Sequence, residues 1–427
     1  MAVPAAAASR PASARATDTR YSGYVLAVLV VVYIFNFIDR QILAILLQPI
    51  KDDLHISDTA LGFLSGFAFA AFYTTMGLPL ARLADVWVRR SLIAAGLAVW
   101  SVMTALCGVA RGFTDLALAR VGVGVGEASC TPAAHSLLAD YFPPHRRATA
   151  LSIYSAGIYI GVGIGFWLGG WVNDAFGWRV AFAIVGLPGC ALAVLVRLTI
   201  REPVRGAHEG TGAGVATPDF AAVRAALGSL PAFWLLSFAG AFQSFGGYGI
   251  GSWIAVFFIR VHHMKPADLG LYLALISAVS GACGAFLGGW LSDRWHGYPH
   301  ARFYVAAVGA ALGAPLNWAV LLQPNPAIAL WLAVPAGLCN ATWLGPTASL
   351  VQEMVAPEMR AVSAAVFLFI VNLIGLGAGP QTVGILNDVL GRADSIRYSL
   401  MLVVFSNLVA AVLFIRAARA ATRTHHH

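Results

Sequence analysis

Residues 22–47 read SGYVLAVLVVVYIFNFIDRQILAILL, a stretch in which only Asp39 and Arg40 carry charge. A helix that crosses a bilayer needs about 20 mostly apolar residues, so this stretch is long enough to span one. A charge in the bilayer costs about 2.5–3.5 kcal/mol, so adjacent Asp39 and Arg40 are expected to face the protein interior and to mark a pathway. Twelve such stretches run along the chain, at 22–47, 59–83, 91–111, 115–139, 148–172, 179–199, 232–259, 267–291, 301–322, 327–352, 361–386 and 396–416.

Composition agrees with lipid as the main solvent. Of the 427 residues, 59% are apolar and 11% charged, too few charges to cover a water-exposed surface. Mean hydropathy is +0.76. The spans predict an all-α membrane protein of twelve transmembrane helices in two pseudo-symmetric six-helix bundles. Residues 1–20 read as a disordered tail, 21–200 as the first bundle, 201–231 as a polar linker, 232–416 as the second bundle and 417–427 as a tail. His425 to His427 read as a tag remnant.

Orientation follows from the basic residues, which concentrate on the cytoplasmic side. The side that holds both termini and the linker carries 18 Lys and Arg, the opposite side 7, and Arg40 and Arg120 lie inside the membrane. Both termini are therefore expected in the cytoplasm, and the net charge of +8 reads as a topology signal, with no nucleic-acid partner. The two lysines, Lys51 and Lys265, do not follow a glycine, which excludes a Walker A phosphate loop. The five cysteines stand singly in apolar stretches and read as buried, reduced thiols, with no metal site and no cofactor expected. His-Glu-x-x-His and Gly-x-Ser-x-Gly are both absent, so an intramembrane enzyme is not expected.

The halves repeat. Asp85 after the second span corresponds to Asp293 after the eighth at an offset of 208, Arg147-Ala148 to Arg360-Ala361 at 213, and Asn173-Asp174 to Asn387-Asp388 at 214. Repeated membrane halves characterise transporters that rock around a midplane site.

Four charges lie in the membrane portion of the first half: Asp39, Arg40, Arg120 and Glu127. Seven residues turn a helix through about 700°, so Arg120 and Glu127 share a face, and Thr131 continues it. Asp39 and Arg40 project about 100° apart, so at most one faces a central cavity squarely. Static ion pairs tying the first span to the fourth remain an alternative to a proton site released when substrate claims an arginine. The second half offers no ionisable Asp, Glu, Lys or Arg near its span centres, but it has Gln243, Tyr248, Asn340, Trp343 and Asn372 among apolar neighbours. Such a cavity suits an amphipathic anion. Gly122, Gly124 and Gly126, and Gly157, Gly161, Gly165 and Gly169, read as close-packing positions. Gly246 to Gly251 predict a bent or broken seventh span, and His135 a polar packing residue.

The twelve-span plan with Asp-containing loops after spans 2 and 8 resembles the major facilitator superfamily. Val86 and Val88 stand where that family usually has a basic residue and a glycine, whereas Asp293-Arg294 is better kept. Asp39-Arg40 with Gly126-Glu127-Ala128, Ser57 to Gly62, and Leu138 to Pro144 resemble the spinster-like branch, whose animal members export sphingosine-1-phosphate or lysophospholipids. The organic anion:cation symporters, carriers of sugar acids, share Asp-Arg and Gly-x-Glu-Ala. The resemblance implies a monomeric, proton-coupled antiporter or symporter of the bacterial inner membrane, carrying a lysophospholipid or sphingolipid-like anion among membrane lipids. A membrane receptor or scaffold without transport is the alternative of another class. The resemblance implies proton coupling at Glu127 and Asp39 and headgroup binding at Arg40 and Arg120, with Asn36 and Thr131 beside them. Arg82, Asp85, Arg89, Asp293 and Arg294 are the expected gating set, with Asp85 and Asp293 capping neighbouring helix N-termini.

Overall fold

The computed structural model describes residues 19–205 and 226–424 apart from 296, 299, 357, 358 and 393. The expected tail at 1–18, the linker interior at 206–225 and His425 to His427 lie outside the described residues. Helices follow one another through every expected span. They are α1 (Thr19–Leu54), α2 (Asp58–Ser65), α3 (Phe67–Val86), α4 (Arg89–Cys107), α5 (Phe113–Ala128), α6 (Cys130–Tyr141), α7 (Pro144–Phe176) and α8 (Trp178–Thr199) in the first half. The second half holds α9 (Pro231–His262), α10 (Pro266–Arg294), α11 (Ala301–Leu322), α12 (Pro326–Ala341), α13 (Leu344–Glu353) and α14 (Arg360–Ile370). A π-helical segment, Val371–Ala378, leads into α15 (Gly379–Leu390), followed by α16 (Ser395–Val404) and α17 (Ser406–Thr424). Eleven helical runs among the described residues are long and apolar enough to cross a membrane. The twelfth, crossing 4, is α5 and α6 joined at Ser129.

The breaks fall away from Gly246 to Gly251. There α9 is one unbroken helix, so the expected break is absent, and two of these glycines are packing surface: a Cβ at Gly246 would sit 2.2 Å from the Asn407 side chain and one at Gly249 2.6 Å from Val403. Three of the interruptions lie ahead of prolines, whereas those at Gly66 and Phe405 do not. Pro132 cannot bond back to the carbonyl of Ala128, and crossing 4 breaks at Ser129. Pro346 stands in the same relation to Thr342 in crossing 10, and Pro380 to Leu376 inside the π segment. Pro49 and Pro79 remain within continuous helices, so the missing donor permits a break and packing decides it.

The other glycines pack as expected. Gly161 and Gly165 of α7 seat α1, where a Cβ would lie 2.5 Å from the Ile34 carbonyl oxygen and 2.9 Å from Gln41. At Gly126 a Cβ would approach the Gly96 carbonyl oxygen to 2.8 Å and the Trp100 nitrogen to 2.8 Å, so α5 and α4 touch backbone to backbone beside Glu127. Neither atom can swing aside. Gly126→Ala is therefore expected to cost about 1–3 kcal/mol, seen as a lower unfolding midpoint in detergent; an unchanged midpoint would count against this contact.

One apolar cluster runs through both halves, with Leu61 and Leu64 of α2 and Ile254, Phe258, Leu269 and Val383 of the second half buried together. Another is first-half core joined by Leu376, and the third belongs to the second half. The cysteines are free, and Cys107 and Cys130 are buried as expected, but Cys283 is exposed on the outer face of α10.

Candidate functional site

The four charges come together on two helices, α1 and α5. Arg40 Nε donates to Glu127 Oε2 at 2.6 Å, with the Glu127 side chain fully buried and that of Arg40 17% exposed. The Arg40 guanidinium lies over three rings, Phe37, Phe69 and Tyr73, at 5.1, 4.8 and 4.6 Å from their centroids. Aromatic faces attract a cation, so these rings hold Arg40 in place alongside the carboxylate. Asp39 points the other way: its Oδ2 accepts from the Thr104 hydroxyl at 3.0 Å, and it is 1% exposed. The 100° between neighbouring side chains thus separates the roles, with Arg40 the accessible member and Asp39 the sealed one.

Arg120 is 2% exposed and, among the described residues, forms no ion pair with a carboxylate. Its Nη1 makes a long 3.4 Å bond to the backbone oxygen of Asp39, and its guanidinium leans on Phe69 at 5.4 Å. Unpartnered polar atoms collect here: Asn36 Oδ1, Asp39 Oδ1, Arg120 Nε and Glu127 Oε1. A buried polar atom without a partner is costly, so a cluster of them is suited to binding rather than to stability. Thr131 stands beyond the Ser129 break, half-buried, where the helical face shared by Arg120 and Glu127 no longer continues unbroken. His135 is exposed and stands edge-on to Tyr154 at 5.5 Å.

The second half contributes unevenly. Tyr248 of α9, like Tyr73, packs against the first-half core that includes Phe69. Gln243 is buried, with Oε1 unpartnered. Asn372 stands in the π segment, a local geometry frequent at functional sites. Its neighbour Gly377 meets the break between α2 and α3, where a Cβ at Gly66 would lie 2.4 Å from the Gly377 carbonyl oxygen. Asn340 is occupied within its own half, accepting from Asn407 Nδ2 at 3.1 Å, and Trp343 packs into the second-half core.

The expected gating set divides. Arg82, Asp85, Asp293 and Arg294 are exposed at the end of the molecule that holds the described termini. The expectation that Asp85 caps the following helix is corrected: the Arg90 amide is taken by Glu202 Oε2 at 3.0 Å. Asp85 lies in the last turn of α3, where side chains tilt back toward their own N-terminus and away from the next helix. Arg89 is 1% exposed and ties α4 to Asp140 at 2.5 Å and to Glu202 at 2.7 Å.

A second polar cluster, missed by sequence reasoning, lies at the distal end, away from the termini. Arg260 of α9 holds Asp58 of α2 at 2.5 Å and Gln48 of α1 at 2.5 Å, and Lys51 reaches the same carboxylate at 2.5 Å. Seven hydrogen bonds between the halves lie at this end, made by Asp58, Thr59, Gln48, Arg260, Asp174, Ala267, Gln381 and Asp388. The distal side is closed. Lys51 and Arg260 were visible only as basic residues outside the membrane; nothing local shows that they converge on Asp58.

The chain is similar to known proteins over most of its length. The profile of the Major Facilitator Superfamily matches residues 29–380. An MFS-type efflux pump of Mycolicibacterium smegmatis is 32% identical over 400 residues, covering 91% of each chain. Protein spinster homolog 1 of Homo sapiens is 28% identical over 428 residues, covering 93% of this chain and 80% of that one. A crystal structure of a bacterial homolog of the human lysosomal transporter spinster, inward-facing and unoccupied, superposes with a TM-score of 0.87 at 32% identity, over 94% of this chain and 98% of that one.

Proposed function

Since the chain belongs to the major facilitator superfamily, as a spinster-like transporter and not an enzyme, we propose that it carries an amphipathic anion across the bacterial inner membrane by proton-coupled alternating access. The excess of basic residues at the termini end makes that end cytoplasmic, so the distal closure seals the outer side. The observation that carries the reading is the Arg40–Glu127 pair: one accessible cation held by one sealed carboxylate, with aromatic rings around it. An anionic headgroup entering from the cytoplasmic side competes with Glu127 for Arg40. Once displaced, the Glu127 carboxylate takes a proton, because its compensating charge is gone. Arg120, buried without an ion-pair partner among the described residues, completes the headgroup site with Asn36. Tyr248 and Trp343 offer aromatic contact for the hydrocarbon, with Gln243, Asn372 and Asn340 as the polar groups of the second half.

The test is flux in proteoliposomes with an imposed pH gradient, offering a lysophospholipid and a sugar acid in parallel. A potential of ~100 mV is worth ~2.3 kcal/mol per charge, enough for a gradient of about 50-fold. Gradient-dependent movement of the lysophospholipid is expected, with the sugar acid unmoved. The reverse result would replace the amphiphile with a small organic anion.

A further inference from the structure

We infer that Asp174 and Asp388 are paired positioning residues of the transport cycle, each closing the distal gate by capping a helix of the opposite half. Asp388, at the end of α15, accepts from the backbone amides of Asp58 at 3.1 Å and Thr59 at 2.7 Å, the first turn of α2. Asp174, near the end of α7, accepts from the amide of Ala267 at 3.0 Å, in the first turn of α10. The two contacts are copies of each other. Asp174 and Asp388 differ by 214 positions, and Ala267 and Thr59 by 208, the offsets at which the halves repeat. Asp388 binds two amides and Asp174 one because the residue of α10 matching Asp58 is Pro266, which has no N–H.

The backbone beneath each cap is copied as well. A Cβ at Gly384 would lie 2.2 Å from the Asp58 carbonyl oxygen, and one at Gly170 2.2 Å from that of Pro266. One turn further in, a Cβ at Gly62 would meet the Pro380 oxygen at 2.8 Å and one at Gly270 the Phe166 oxygen at 2.4 Å. Two helix crossings, α2 with α15 and α10 with α7, therefore close by glycine contact, and each ends in a carboxylate on the partner's free amides. The first amides of a helix lack intrahelical acceptors and carry partial positive charge, so a carboxylate there is favourable only while the halves stay together. When the halves part on the distal side, both caps are lost at once and water must replace them. The caps thus bias the resting state toward distal closure, and they do so in both arms of the pseudo-symmetric frame.

The proposal rests on alternating access but on neither the substrate nor the proton assignment, so its readout is a distance. Spin labels on Val109→Cys and Pro324→Cys, both in distal loops of opposite halves, would be measured by pulsed dipolar spectroscopy in nanodiscs, with the five native cysteines replaced. Losing one cap is expected to raise the open-to-closed ratio about fivefold in Asp174→Ala or Asp388→Ala, and about 25-fold in the double variant. Asparagine keeps a good capping acceptor, so Asp388→Asn is expected within about twofold of the parent. Unchanged distances in both alanine variants would overturn the proposal, as would equal opening by the alanine and asparagine variants. Because the single variants alone decide it, the test stands even where the double variant does not fold.

Discussion

Glu127→Gln is expected to abolish accumulation driven by a pH gradient while leaving substrate exchange largely intact. In the native protein the Glu127 carboxylate, fully buried, meets Arg40 Nε at 2.6 Å. Glutamine has the same size and can still accept that bond, so the headgroup site keeps its shape, but it has no proton to exchange. A gradient of ~100 mV would support about 50-fold accumulation per charge in the parent and none beyond equilibration in the variant. Removing one member of a buried ion pair costs about 3–5 kcal/mol when the other charge is stranded. Here the three rings over Arg40 and the retained amide bond soften that cost, so the variant should fold. Counterflow, which needs substrate binding and alternation but no net proton movement, separates coupling from collapse. It is expected to stay within about threefold of the parent. Full pH-gradient coupling in the variant would sink Glu127 as the proton site and leave Asp39, sealed behind Thr104, as the next carboxylate to test.

The largest stability effect is expected at Arg89. This side chain is 1% exposed, and its guanidinium donates to Asp140 at 2.5 Å, Glu202 at 2.7 Å, the Ser136 hydroxyl at 2.8 Å, the Ser136 carbonyl at 3.1 Å and the Pro203 carbonyl at 3.3 Å. It joins the start of α4, the end of α6 and the first residues of the linker. Arg89→Leu takes the guanidinium away from two carboxylates, so a loss of about 3–5 kcal/mol is expected, seen as a fall of about 3–6 °C in the unfolding midpoint. Arg89→Lys should recover less than half, because an ammonium cannot reproduce a planar fork that serves several acceptors at once. A midpoint unchanged in Arg89→Leu would show that the cluster adds nothing to stability. The same geometry revises the reading of the loop between crossings 2 and 3: Glu202 caps α4, and Arg205 covers the Ala84 and Trp87 carbonyls at the end of α3.

Much of the site was legible because charge in a membrane helix is so expensive. Asp39, Arg40, Arg120 and Glu127 could be singled out by that cost alone, and all four converge. The seam glycines of α7 and α5 were legible for a related reason, since small residues at helical spacing allow close backbone approach. Gly246 to Gly251 show the limit. Glycine permits a break without causing one, whereas at Ser129 and Trp343 a proline three residues on has removed a backbone donor. The distal gate was invisible for a different reason. Lys51, Asp58 and Arg260 lie at span ends, where charge is cheap and says nothing of its partner.

By itself, then, the sequence determined the solvent, the number of crossings, the repeat and the four membrane charges. Each of these is local: a crossing helix must satisfy its own backbone hydrogen bonds, so its apolar length can be read without its neighbours. Only the tertiary structure decided which charge meets which. Arg40 and Glu127 are 87 residues apart, and Asp388 caps amides 330 and 329 residues away. The Asn-Asp repeat at 173–174 and 387–388 was visible as a pattern. Its physical sense, each aspartate on a helix end of the other half, exists only once the two bundles have closed on each other.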